Sequence, residues 1–163
     1  MKTPWMTYAS TFIGLKEVKG AKHNQTILGW AKNLGRKVGI VFNNDELAWC
    51  GLFAGEIMNN AGITPPNICV RASEWAKFGV GLSEGAFGAV VVFSRKGGGH
   101  VGFYVSEDET TYHILGGNQS DSVSVTRIEK SRMSAIRWPA GIPLPKSGPV
   151  YKKFDGAIST NER

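Results

Sequence analysis

Cys50 and His100 are the two residues of this 163-residue chain whose types and settings could carry covalent chemistry. Cys50 stands in a run that begins with the polar residues Asn43, Asn44, Asp45 and Glu46 and continues through Leu47, Ala48 and Trp49 into Gly51, Leu52 and Phe53. A thiol near the start of a helix sits in positive potential, which favours the thiolate, the form that attacks carbonyl carbon. On that stretch alone, a free cysteine filling a core gap is the simpler reading. His100 changes the balance. It follows three successive glycines, Gly97, Gly98 and Gly99, at the start of an apolar run. There an imidazole stays approachable, and core packing explains it poorly. A nucleophilic cysteine needs a base and a third group that orients the base. Asn118 and Gln119, after Gly116 and Gly117, and His113, five residues earlier, are the candidates, with Asn118 preferred and His113 as alternative. His23 precedes a helix cap and receives no role.

These residues need elements to hold them. Apolar positions at helical spacing (Phe53, Ile57, Met58, Ala61) predict a helix around Cys50, capped by Asn44 or Asp45 and stopped near Gly62. A first helix opens at Thr3-Pro4 and carries Trp5, Tyr8, Ala9, Phe12 and Ile13. A second, capped by Asn24, carries Ile27, Leu28, Ala31 and Leu34 and stops at Gly35. Arg71 to Phe78 predicts a short helix with Trp75 in the core. From Gly88 the pattern changes to strands: Gly88 to Phe93, buried on both faces, then His100 to Val105, Thr111 to Leu115, Ser122 to Thr126 and Ser134 to Trp138. Short turns between them predict an antiparallel meander, and helices followed by such a sheet give an α+β class. Residues 1–140 form one domain, and 141–163 form a loosely ordered or draped tail.

The composition excludes several classes. Two cysteines, Cys50 and Cys69, are too few for a disulfide scaffold, and Cys69, between Ile68 and Val70, is expected as a buried inert thiol. A net charge of +6 favours anionic partners, yet the basic residues are scattered and match no nucleic-acid motif. The first residues lack the apolar core of a signal peptide, and no stretch approaches transmembrane length. The expectation is synthesis in the cytoplasm, with no stable membrane insertion. A zinc site on Cys50, His100 and His113 suits the residue types, but no close ligand pair supports it, and no metal or other cofactor is expected.

The ordered set of motifs resembles a known group. Glu46 to Phe53 with Cys50 inside it, Arg71 to Trp75, Gly88 to Phe93, Gly99 to Tyr104 and Leu115 to Gln119 are together similar to the papain-like NlpC and CHAP cell-wall peptidases, in the form found in phage lysins and prophage hydrolases. The likeness spans roughly residues 4 to 139. It implies the papain-like fold, N-terminal helices packed on a C-terminal antiparallel sheet. It implies Cys50 as nucleophile, His100 as base and then acid, and Asn118 or His113 as the third member. Trp49 before Cys50 is nearer to the CHAP form than to the Asp-Cys-Ser-Gly form of the NlpC branch, and an Asp-x-Asp calcium loop is missing. Asp45 and Glu46 are better read as capping residues than as a cation site. The implied substrate is an amide of the peptidoglycan stem peptide or its junction with the sugar. The oxyanion would be held by the Cys50 N–H and a neighbouring donor. The protein would be a monomer that adheres to the anionic wall and acts there after release or delivery by another factor. The rival is a non-enzymatic wall-binding or phage structural module on the same fold.

Overall fold

The computed structural model describes residues 3–18, 24–39 and 48–162. Helix α1 is Pro4–Ser10, with proline in its first turn. It ends earlier than the apolar spacing suggests. The hydroxyls of Ser10 and Thr11 donate to the Met6 and Tyr8 carbonyls, and residues 11–14 turn away, leaving Ile13 exposed. Helix α2, Gln25–Leu34, is capped as the sequence indicates: the Asn24 side chain accepts from the Thr26 and Ile27 N–H groups. Helix α3, Cys50–Asn60, begins at the cysteine itself, with Trp49 as cap residue. Asn44, Asp45 and Glu46 lie outside the described residues, as does His23. The three helices share an aromatic seam. Phe12 meets Trp30 edge-on at 5.2 Å, Trp30 and Phe53 are 5.5 Å apart, and Phe53 reaches Phe103 of the sheet at 6.3 Å. A 3₁₀ turn, Ala72–Lys77, replaces the expected short α-helix, and its Trp75 is fully buried, donating to the Cys69 carbonyl at 2.8 Å.

Seven strands make one sheet: β1 (Val80–Gly81), β2 (Val90–Arg95), β3 (Gly98–Glu107), β4 (Thr111–Gln119), β5 (Ser122–Glu129), β6 (Met133–Trp138) and β7 (Ile158–Ser159). The class is thus α+β, with helices before the main sheet. Strands β2 to β5 form the expected meander, but β6 does not continue it. The order is β1-β6-β2-β3-β4-β5-β7, so β6 pairs with β2, three strands away from β5. Only Lys130–Arg132 connect β5 to β6. A flat sheet would set those strands four spacings, about 19 Å, apart, and the connector from Glu129 to Met133 reaches about 14 Å at most. The sheet must therefore curl. The curl folds Phe93, Tyr104 and Tyr112 onto one another, with Phe93 6.3 Å and Tyr104 5.9 Å from Tyr112.

Of the two forms expected for the C-terminal segment, loosely ordered or draped, the structure has the draped one. Its backbone exchanges hydrogen bonds with Glu107, from Glu107 N–H to the Val150 carbonyl and from Lys152 N–H to the Glu107 carbonyl. It then adds β7 beside β5 as a parallel pair, and buries Glu162 at 1 % exposure. A two-residue strand and a single buried acid carry too little pattern to be seen in a polar sequence. Among the described residues, no helix is long and apolar enough to cross a membrane.

Candidate active site

Cys50 opens α3, where the first backbone N–H groups have no partners within the helix and the helix dipole is positive. Gly51 lets that end of the helix press onto the neighbouring connector: a Cβ there would lie 2.2 Å from the Cys69 carbonyl oxygen. His100 is the third residue of β3, opposite Phe93 of β2, and their rings stack at 6.4 Å. The turn between β2 and β3 is tighter than expected. Strand β3 already begins at Gly98, so His100 is two residues inside it. Cys50 is 4 % exposed and His100 fully buried.

The two groups shift each other towards an ion pair. Burial opposes a thiolate at Cys50, but the His100 ring, the Val101 N–H and the charge of Arg95 outweigh it and hold the thiol below its ordinary range. Burial likewise opposes an imidazolium, yet interaction with Cys50, the Glu162 charge and the Gln119 hydrogen bond raise the His100 pKa. Nδ1 of His100 is buried and makes no regular hydrogen bond within the protein. Because Nε2 is engaged by Gln119, Nδ1 is the nitrogen left to exchange a proton with the thiol.

The residue that orients the ring is Gln119. Its Oε1 lies 2.9 Å from His100 Nε2. Its amide nitrogen donates to the Ser124 carbonyl at 2.7 Å and to the Ile114 carbonyl at 3.1 Å. With the NH₂ between two acceptors, the oxygen must face the histidine, which makes Nε2 the N–H donor. Neither expected third member occupies this place. Pairing of β3 with β4 sets Phe103 opposite Leu115, and continuing that register would bring Asn118 opposite His100. However, Asn118 has a positive φ of 59°, and the β4–β5 register slips between Gly116 and Gln119. This bulge moves the next side chain, Gln119, into the position that regular alternation assigns to Asn118. Gly116 makes room for it, since a Cβ there would stand 2.6 Å from Gln119 Oε1 and 3.3 Å from His100 Nε2.

His113 belongs to a different cluster. Its Nδ1 is 2.7 Å from Ser106 Oγ, its Nε2 is 2.9 Å from Asp108 Oδ2, and Phe154 lies over the ring at 5.1 Å. Asp108 also accepts from Arg127 and from the Thr110 and Thr111 N–H groups. Burial works against its ionisation, but these donors prevail and hold its carboxyl well below the usual range. Both ring nitrogens of His113 are thus committed, and the rival zinc set of Cys50, His100 and His113 is not assembled. Among the described residues, no three His, Cys, Asp or Glu side chains converge as metal ligands. Burial pushes the thiol of Cys69 up to about 11, as befits an inert core cysteine. No family model matches the chain, and no curated protein matches it.

Proposed function

We propose that the chain is a cysteine peptidase or amidase of papain-like, NlpC/CHAP type that hydrolyses an amide in the peptide part of bacterial peptidoglycan. The observation that carries this reading is the buried line Cys50–His100–Gln119 at the start of a helix, with thiol and imidazole shifted towards thiolate and imidazolium. A structural thiol has no need of a base beside it or of an amide that fixes the base's tautomer.

The steps follow from that line. Gln119 holds the Nε2–H, so Nδ1 takes the thiol proton, and the Cys50 thiolate attacks the amide carbonyl. The tetrahedral oxyanion lies at the start of α3, where the Cys50 N–H points without a helical partner. The Gln119 amide does not serve as its donor, because both N–H groups are used by the Ile114 and Ser124 carbonyls. Nδ1–H then protonates the leaving amine, the amine departs, and a thioester remains on Cys50. Water, deprotonated at Nδ1, releases the acid. Wall peptide as substrate rests on the resemblance of the motifs and on the net charge of +6, which suits an anionic wall.

The test is fragment release from purified peptidoglycan, read by mass, with wild type and Cys50→Ala side by side. Release by wild type alone supports the thiol mechanism, and the fragment masses identify the bond. Adhesion to walls without release by either protein would favour a binding module instead.

A further inference from the structure

Arg95 stands at the end of β2, half-buried, one turn away from the proposed base. Its Nε donates to the Gly99 carbonyl at 2.9 Å, the residue before His100, and its Nη1 reaches the Lys96 carbonyl at 3.4 Å. Its Nη2 lies over Gly98, 3.6 Å from where a side chain on that glycine would begin. The guanidinium is therefore laid along the glycine turn and held by the backbone. Its partners are carbonyl oxygens, whereas Arg127 and Arg132 each hold a carboxylate, Asp108 and Glu162. Carbonyls orient a guanidinium but leave its charge in place. The Cys50 thiol responds to that charge.

We infer that Arg95 is a carboxylate-binding residue of the substrate site, so that the peptide cleaved at Cys50 carries a free carboxylate close to the scissile amide. This rests on Cys50 being an attackable nucleophile, as proposed above. A planar fork fixed at one edge of the site recognises a carboxylate in two-point fashion, which a lysine does less well. The absence of a side chain at Gly98 leaves space over the fork, since a Cβ there would meet only the guanidinium. Gly99 itself is confined, since a Cβ there would meet the Ala72 side chain at 3.4 Å, so the 3₁₀ turn Ala72–Lys77 forms the wall beyond it.

A pair of small reagents tests this without knowledge of the natural substrate. Iodoacetate and iodoacetamide both alkylate a thiolate: the C–S bond forms, the C–I bond breaks and iodide leaves. They differ only in the carboxylate. Alkylation rates at Cys50 are read by mass on its peptide, for the full chain as wild type, Arg95→Gln and Arg95→Lys, at a temperature where all three are folded. Any change in thiol reactivity affects both reagents equally, so the ratio reports on the reagent's charge, and the lysine variant separates a charge effect from recognition by the fork. The expected result is a ratio of iodoacetate to iodoacetamide rates that falls roughly threefold to tenfold in Arg95→Gln, the size of a partly screened ion pair, and recovers only in part in Arg95→Lys. Full recovery in Arg95→Lys would reduce Arg95 to a source of positive field and overturn the inference. An unchanged ratio overturns the inference while leaving the thiol mechanism standing. If neither reagent labels Cys50 in the folded wild type although both label it after denaturation, the thiol is not attackable. Both the inference and the mechanism then fall.

Discussion

A buried imidazole with one nitrogen held by a neutral amide and the other facing a thiol has a defined pH response. Cys50 lies below its ordinary range and His100 above its own, so the ion pair exists between the two pKa values. The rate of hydrolysis, or of Cys50 alkylation by iodoacetamide, should rise with pH through the lowered thiol pKa, and hydrolysis should fall again as His100 loses its proton. Gln119→Ala removes a contribution that raises His100 and frees the ring to rotate. We expect its alkaline limb to move to lower pH and kcat to drop on the order of 10- to 100-fold. Gln119→Glu should fare no better, because one carboxylate oxygen would then face the Ile114 and Ser124 carbonyls that the amide now serves. A pH–rate profile identical to wild type in Gln119→Ala would remove that residue from the site. A second buried group, Glu56, reports on stability. It accepts from the Tyr8 hydroxyl at 3.2 Å, its other oxygen has no partner, and burial raises its pKa against the pull of Tyr8 and Asn33. A raised carboxyl contributes stability below its unfolded value of about 4.5 and loses it as pH climbs through the folded value. Glu56→Gln should therefore melt higher than wild type at pH 7 and show a flatter Tm between pH 4 and 7. Parallel curves would refute this.

At the scale of elements, the site depends on two places where chain segments touch without side chains between them. Gly116→Ala would push a methyl into Gln119 Oε1. The amide can swing away, so the fold should persist while activity falls towards that of Gln119→Ala. Equal loss of Tm and activity would show that the glycine serves packing instead. Gly51→Ala is the opposite case, since its methyl would meet the Cys69 carbonyl, part of a connector whose Cys69 N–H is tied to the Lys37 carbonyl at 2.8 Å. Backbone cannot yield as a side chain does, and we expect a destabilisation of about 1–3 kcal/mol by denaturant titration. The pairing of a helix-borne cysteine with a strand-borne histidine was legible from residue types and order. The orienting residue was legible only as one of three candidates, Asn118, Gln119 and His113, and the preference for Asn118 missed it, because the choice depends on a single left-handed residue, Asn118, that shifts a strand by one position. Asparagine tolerates that conformation, which is the signal present in the sequence, but the same residue also suits an ordinary strand end.

At the scale of the whole molecule, the C-terminal segment closes the curled sheet. Arg132 lies on the connector that forces the curl, and it binds Glu162 at 2.5 Å, with Ser159 donating to the same carboxylate at 2.6 Å. The Glu162 charge also reaches His100. Arg132→Ala would strand a buried carboxylate, a loss on the order of 3 kcal/mol. A chain ended after Pro149 removes the segment with its acid and leaves Arg132 without its carboxylate. Both should lower Tm, but only loss of the acid removes a contribution that raises His100. Hydrolysis by the shortened chain should therefore show an alkaline limb displaced to lower pH, whereas Arg132→Ala should keep it. Coincident profiles for the shortened chain and wild type would confine the segment to a structural role.

The sequence by itself determined the elements whose signals are local. Asn24 caps α2 through its own side chain, proline opens α1, and the β-branched run Val90 to Val92 becomes a fully buried strand because those residues fit only a sheet covered on both faces. It also placed Cys50 at the head of a helix and His100 near a glycine turn. Tertiary structure alone decided what surrounds them. The partner of His100 and the influence of Glu162 on it join residues distant in the chain, whereas the Asp108 cluster around His113 and the laying of Arg95 along Gly98 and Gly99 are contacts across single hairpins whose geometry the sheet sets. Their positions follow from strand register, one bulge and a three-residue connector too short for a flat sheet; the residues of the bulge and the connector are local, but which strands they bring together is decided by the pairing of the whole sheet.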